Sequence, residues 1–178
     1  TQLDPDEGQP ASERTEVYIA YDAEALYVAA RLFDTGPVSR RLARRDAVVN
    51  DSDWFSVALD SYHDHETAYR FWTNPSGVKG DAIVTGNSTG GGDSSWDPIW
   101  QAATQIDSLG WTAELRIPFS QLRYPRVDQQ TWGLQIVRQV TRLNELSTWA
   151  FWRQNEFGGP SRFGHLENLE IRRAPSSA

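Results

Sequence analysis

The residues best suited to chemistry in this sequence are tryptophans that stand beside polar side chains on alternating segments. Within residues 67–73, Tyr69 and Phe71 share one face, and Arg70 and Trp72 share the other. The apolar pair is expected to seal a core. Arg70 and Trp72 are therefore expected on the opposite surface.

A second alternating segment, residues 54–60, adds another indole to this surface if the two segments are neighbours. Trp54 opposes Phe55 there, and Asn74 follows Trp72 on the same side of the other segment. Flat rings beside guanidinium and amide donors suit a sugar, which presents C–H faces and hydroxyl groups. The alternative is that a second layer or a loop covers these tryptophans.

Three more tryptophans are candidates for the same kind of contact. Trp96 stands where a loop begins and could face either way. Trp149 and Trp152 have opposite parity on one predicted strand, so one of them is expected to face outward. Core positions are expected for the others, which are Trp100, Trp111 and Trp132.

Carboxylates cluster in two loops. Asp93 and Asp97 could ligate Ca²⁺, a cofactor that takes six to eight hard oxygen ligands. Asp46, Asp51 and Asp53 stand close together in sequence, and a glycosidase would need two such groups facing each other across a cleft. The alternative for both groups is that they are solvated loop residues.

Few other residues suggest catalysis. The run His63-Asp64-His65 could place two imidazoles near an acid, and the alternative is a solvated hairpin loop. No HExxH, GxSxG, Walker or GxGxxG pattern occurs. With no cysteine, disulfides, cysteine-ligated metals and thiol catalysis are excluded.

The overall charge and hydropathy exclude two classes of partner. The formal net charge is −7, whereas a nucleic-acid reader needs a basic field, so no nucleic acid is expected. No apolar run approaches the roughly 20 residues of a membrane helix, so no direct membrane insertion is expected. There is no methionine, and we expect the chain to be part of a larger one.

The elements that must position these residues are short strands. In the clearest hairpin, residues 111–117 place Trp111, Ala113, Leu115 and Ile117 on one face. Because one apolar face needs a covering layer, the rest of the chain must supply more sheet.

About nine or ten strands are predicted in total, with regular turn signals and almost no helical periodicity. They cover residues 15–21, 26–33, 54–60, 67–73, 78–84, 99–106, 111–117, 132–140, 148–153 and 164–171. This pattern is typical of an all-β antiparallel β-sandwich. The predicted organisation is an extended loop over residues 1–14, a sandwich domain over 15–172 and a tail over 173–178.

Several segments together resemble a known family. They are ASERTEVYIAYDAEALYVAARLFD, SDWFSVALDSYHD, TAYRFWTNPSGVKGDA, SSWDPIWQAATQIDSLGWTAELRIPFSQLRY, WGLQIVRQVTRLNE and SRFGHLENLE. The chain resembles the family 9 carbohydrate-binding module, in the version found at the front of certain bacterial surface or outer-membrane-associated proteins.

The resemblance implies a β-sandwich without catalysis that binds sugar chains, in the better known members by clamping a sugar between two tryptophans, with bound calcium supporting the fold. Trp54 lies in the region where such members keep one ring, and Trp149 or Trp152 is the candidate for the second. Arginine in place of Trp54, and smaller residues in place of Trp72, are common in the larger proteins. These departures imply a ligand particular to this chain, and the leading strand of such modules is missing before Thr1.

The sequence therefore favours a non-catalytic module that binds a polysaccharide or oligosaccharide. Its expected site residues are Trp54, Arg70, Trp72, Asn74, Trp96, Trp149 and Trp152. We expect a secreted, periplasmic or cell-surface bacterial protein. The alternatives are an accessory structural or interaction domain with no sugar ligand and a carboxylate-based glycoside hydrolase.

Overall fold

A computed structural model describes residues 1–47 and 50–171, which form eleven strands. The strands are β1 (Gln2–Asp4), β2 (Thr15–Tyr21), β3 (Ala25–Phe33), β4 (Trp54–Asp60), β5 (Ala68–Thr73), β6 (Lys79–Val84), β7 (Gln101–Asp107), β8 (Gly110–Pro118), β9 (Gln129–Val140), β10 (Glu145–Thr148) and β11 (Gly164–Glu170). Helical structure in these ranges is limited to single 3₁₀ turns at Phe119–Gln121, Thr141–Leu143 and Pro160–Arg162.

The strands form two antiparallel sheets, and the prediction of an all-β sandwich is confirmed. Over the described residues, the larger sheet has the order β1-β10-β9-β4-β5-β6, with β11 also paired to β9. The smaller sheet has the order β2-β3-β8-β7. No helix in the described part of the chain is long and apolar enough to cross a bilayer.

The core lies between the two sheets and follows the period of two in the sequence. On β8, Trp111, Ala113, Leu115 and Ile117 are buried, as the alternation predicts. The facing side of the larger sheet contributes a matching set to the same cluster, which is Phe55, Val57, Leu59, Phe71, Trp132, Leu134 and Ile136. The predicted core positions of Trp100, Trp111 and Trp132 are confirmed.

The turn between β7 and β8 depends on a glycine and a carboxylate. Gly110 has a φ of +133°, and a Cβ there would collide with the carbonyl of Leu32, so only glycine fits. The Asp107 carboxylate accepts the Leu109 amide at 2.8 Å and closes the turn.

The two ends of the chain differ from the sequence prediction. Gln2–Asp4, inside the predicted loop, pairs with β10 at the edge of the larger sheet. The predicted strand over residues 148–153 is wrong, because β10 ends at Thr148 and the chain then leaves the sheet. The predicted tail, residues 173–178, lies outside the described residues.

Where the chain leaves the larger sheet, hydrogen bonds from the Gln135 side chain hold it. The Gln135 amide of β9 donates to the Ala150 carbonyl at 2.7 Å and accepts the Ala150 amide at 3.0 Å. These bonds hold residue 150 beside β9 between the segments paired with β10 and β11. Residues 149–163 then run outside both sheets before β11 begins.

Candidate functional site

One face of the larger sheet points away from the core and carries the predicted polar and aromatic residues. The register pairs Ser56 with Trp72 and Ala58 with Arg70. Directly paired residues share a face of the sheet. Trp54 lies on the same face as Ser56, because the two residues are two positions apart on one strand. The predicted common surface of Trp54, Arg70 and Trp72 is therefore present.

The two indoles on this face are packed down, so the expectation that they are open to solvent is wrong. Trp54 and Trp72 are each 7% exposed and form a small cluster with Val78 and Ala82. The cause lies on β6, where Gly80 leaves the space that the Trp72 indole occupies. The ring lies against the neighbouring strand instead of projecting outward.

Arg70 lies over this cluster. Its guanidinium carbon is 5.5 Å from the centre of a Trp72 ring, and its Nε donates to the Ser56 hydroxyl at 3.1 Å. Desolvation lowers the pKa of Arg70. No carboxylate of the described residues forms an ion pair with it.

A small cavity of about 110 Å³ opens beside Arg70. Its lining residues are Trp54, Ser56, Arg70, Trp72, Gly91, Val137, Gln139 and Leu146. Pockets that enclose a whole drug-sized ligand hold about 300–1,000 Å³. This cavity has room for one substituent of a larger ligand.

A second cavity of about 490 Å³ borders residue 89, two residues before Gly91. Its lining residues are Leu3, Thr89, Trp152, Gln154, Asn155, Glu156 and Phe157. Thr89 lines this cavity and Gly91 lines the smaller one, so both flank the same loop. We call the two cavities together the outer groove.

Hydrogen bonds fix the two loops that border the outer groove. The Asn87 carbonyl accepts the Gly159 amide at 2.9 Å, and the Asn87 side chain accepts the Ser161 amide at 3.0 Å. These bonds tie residues 85–92 to the late segment that carries Trp152 and Phe157. The groove therefore has walls from two distant parts of the chain.

The most open ring of the outer groove is one that the sequence reasoning missed. Phe157 is 77% exposed and lines the larger of the two cavities, where Trp152 is partly buried. A phenylalanine inside a glycine- and proline-rich loop was the available signal, because such a residue has no strand face to fill. Trp152, a predicted site residue, is in the groove.

Trp149 is 54% exposed and lies elsewhere. Its ring lies against Gly164 at the rim of a cavity of about 780 Å³ between the two sheets. Of the two late tryptophans, it is the one that faces solvent. It does not line the outer groove.

The cavity between the sheets is larger, but it suits a sugar less well. Its walls include Val17 and Ile19 of β2 and Leu134 and Ile136 of β9. Arg138, one of the charged groups in its lining, donates to two backbone carbonyls and a hydroxyl of the chain itself. Other polar residues of its lining are also bonded within the chain, because Glu13 accepts the Thr35 hydroxyl and the Ser147 hydroxyl donates to Glu145. These groups are therefore less available to the hydroxyls of a sugar.

Asn74 does not face the groove, contrary to the prediction that it contacts a ligand. It is fully buried, and its amide nitrogen donates to the Arg41 carbonyl at 2.7 Å and the Ser52 hydroxyl at 3.1 Å. Its side-chain oxygen accepts the amides of Ser76 and Val78. The turn before β6 requires these bonds, so the side chain is used for folding.

Trp96 is also away from the outer groove. Its ring centre lies 4.9 Å from that of Tyr69 and 5.6 Å from that of Phe71. Both partners are on the core side of β5. Trp96 therefore closes the rim of the core.

The loop carboxylates have partners within the protein. Asp97 forms an ion pair with Arg45 at 2.8 Å, and Asp93 accepts the Ser95 amide at 2.9 Å. Among the described residues, no three His, Cys, Asp or Glu side chains are placed to hold a metal ion. The calcium site at Asp93 and Asp97 stays a prediction.

The acids considered for hydrolysis are likewise engaged. Asp53 is buried and accepts the amides of Ser39 and Thr141 at 3.1 and 2.8 Å. Burial raises the pKa of Asp53. Asp51 forms an ion pair with Arg41 at 2.6 Å. These contacts fix loops to the sheet.

The three histidines of the sequence come together. The ring centres of His63 and His65 lie 4.6 Å apart, and those of His63 and His165 lie 5.0 Å apart. His63 and His65 both have positive φ, and the Asp60 carboxylate accepts the amide of His65. The approach of His165 was not foreseen, because it depends on the pairing of β11 with β9.

A β-sandwich with a groove walled by loops is an architecture of binding modules. The sequence profile of the carbohydrate family 9 binding domain-like family matches residues 5–170. The chain belongs to this family. None of the curated proteins matches it.

Solved structures share the fold. A family 9 carbohydrate-binding module from Caldicellulosiruptor kristjanssonii, in complex with cellotriose, is 18% identical over 100% of this chain and 86% of its own, with a TM-score of 0.64. A family 9 module from the same organism in complex with glucose is 17% identical over 96% of this chain and 83% of its own, with a TM-score of 0.63. A candidate carbohydrate-binding protein from Bacteroides uniformis ATCC 8492 is 15% identical over 96% of this chain and 85% of its own, with a TM-score of 0.69.

Proposed function

We propose that this chain is a non-catalytic module that binds a polysaccharide or oligosaccharide in the outer groove. Membership of a carbohydrate-binding family supports the proposal, as do the sugar complexes of similar folds. The observation that carries it is that two cavities border the same loop: Arg70 and Trp72 line one with Gly91, and the rings of Trp152 and Phe157 line the other with Thr89.

Each part of the groove has a separate role in this proposal. Phe157 offers a ring face for the C–H surface of a sugar, and Trp152 supports the same wall. Arg70 and Gln139 provide polar groups at the smaller cavity. Trp54 and Trp72 form its floor and hold Arg70 in place.

The proposed affinity for one sugar is weak. An aromatic stacking contact contributes about 1 kcal/mol beyond the area that it buries. Contacts along a chain add up when several sugars bind at once, so polysaccharides are expected to be retained better than single sugars.

The proposed context is a larger exported bacterial protein, and the module would be secreted, periplasmic or at the cell surface. No catalysis is proposed, because the acids considered for it bind within the protein. Calcium would act as a structural cofactor if it binds.

The test is a glycan array that includes neutral and acidic oligosaccharides, run with and without a chelator. We expect binding to at least one class of oligosaccharide, and no product release from any of them. A blank array under both conditions would reject the proposal in favour of a structural or interaction domain. Released sugar would instead indicate a hydrolase.

A further inference from the structure

Among residues 1–47 and 50–171, no carboxylate forms an ion pair with Arg70. Arg31, Arg45 and Arg142 each lie within 3 Å of a carboxylate oxygen. Arg70 instead contacts the Ser56 hydroxyl and the Trp72 ring. A partly desolvated cation without a counter-charge is costly, so an anion at this position would be stabilised.

The rest of the small cavity does not supply that anion. No carboxylate lines it among the described residues, and its polar side chains besides Arg70 are the hydroxyl of Ser56 and the amide of Gln139. A guanidinium can only donate hydrogen bonds, so an acceptor such as an oxyanion suits this position.

We propose that the small cavity of the outer groove receives an anionic substituent of a sugar, either a carboxylate or a sulfate ester, and that the ligand is an acidic oligosaccharide. This inference rests on the proposed function and goes further by assigning the charge of the ligand. A guanidinium binds such oxyanions through two parallel hydrogen bonds.

The size of the cavity agrees with this assignment. Its volume of about 110 Å³ is well below that of a pocket for a whole ligand. One carboxylate or sulfate group enters it, and the sugar ring that carries the group stays outside the small cavity.

The net charge of −7 opposes a long polyanion but does not decide the contact. At physiological ionic strength the Debye length is about 8 Å, so distant charges are largely screened. The charge of Arg70 acts within hydrogen-bond distance. A short acidic oligosaccharide is therefore the right probe.

The experiment measures binding of three probes by titration calorimetry in 0.15 M salt: a tetragalacturonate, its methyl ester and a sulfated galactose tetramer. We expect the carboxylate or the sulfate to bind at least tenfold more tightly than the ester. The probe that binds best identifies the source of the anion.

Two variants test whether Arg70 is responsible. Arg70→Gln is expected to abolish the preference for the anionic probe. Arg116→Gln, on the smaller sheet where Arg116 pairs with Glu24, makes the same change in net charge and is expected to keep the preference. If Arg70→Gln fails to fold, the ester comparison on the natural sequence still decides.

The outcomes separate this inference from the function beneath it. If the methyl ester, or a neutral sugar on the array, binds as tightly as the anionic probes, the anionic assignment is wrong and sugar binding stands. If neither the probes nor any array sugar binds, both proposals fail. A preference that survives Arg70→Gln would also overturn the assignment.

Discussion

The Trp72 indole lies against Gly80 on the neighbouring strand, in space that any other residue would fill. A Cβ at position 80 would come within 2.8 Å of the indole Nε1 and closer still to two ring carbons. The glycine thus decides whether the indole packs down, and with it the position of Arg70 above the ring.

Gly80→Ala is expected to destabilise the fold by about 1–3 kcal/mol, the range for overpacking, because the indole must move. Urea unfolding measures the change. Gly91→Ala is the matched control, since a Cβ at position 91 meets no atom within 4 Å. Equal stability of the two variants would contradict this packing.

Trp72→Ala is expected to lower the free energy of unfolding by about 3–5 kcal/mol, because it removes a large side chain that is 7% exposed. Phe157→Ala, which truncates a ring that is 77% exposed, is expected to change it by at most about 0.5 kcal/mol. Thermal unfolding of both proteins makes the comparison. A small effect at position 72 would show that its ring is not part of the packed cluster.

Phe157→Ala is expected to weaken retention of a bound polysaccharide about fivefold, the equivalent of about 1 kcal/mol for one lost stacking contact. Affinity electrophoresis measures the retention. Trp149→Ala removes an exposed ring outside the outer groove and is expected to leave binding unchanged. The reverse result would move the site to the cavity between the sheets.

Acid should remove one local contribution to stability. Two hydrogen bonds from Arg31, at 2.6 and 2.7 Å, lower the pKa of Asp107 from 3.8 to about 2. Because the folded pKa is the lower one, this contact stabilises the fold above about pH 4 and loses that effect as the pH falls to 2.

Urea midpoints at pH 5, 3 and 2 test this dependence. The difference between the natural protein and Asp107→Asn should shrink as the pH falls. Arg31→Gln should behave like Asp107→Asn, because either change removes the same pair. A difference that stays constant across this range would refute the linkage.

The strands of the sandwich were predictable because their alternation survives in the sequence. The predicted bounds of β2 and β4 match the structure, and those of β8 differ by one residue at each end. The aromatic run at residues 148–153 misled the prediction, because those rings line loops rather than a sheet face. Local pattern does not contain that information.

The site was predictable only in part. Parity put Trp54, Arg70 and Trp72 on one face, which the pairing of β4 and β5 confirms. Their burial depends on Gly80, a residue distant from Trp54, and on long-range packing that parity does not encode. The contact between the loops of Asn87 and Phe157 joins segments about 70 residues apart.

The hydrogen bonds between Gln135 and Ala150 fix the point at which the chain leaves the larger sheet. They anchor the departing chain to β9, and β11 later returns to the same strand. Residues in between can change in number or type without shifting the register of β9 or β11. A library that diversifies residues 151–157 is therefore expected to change the ligand that this domain binds while the strands of both sheets stay the same.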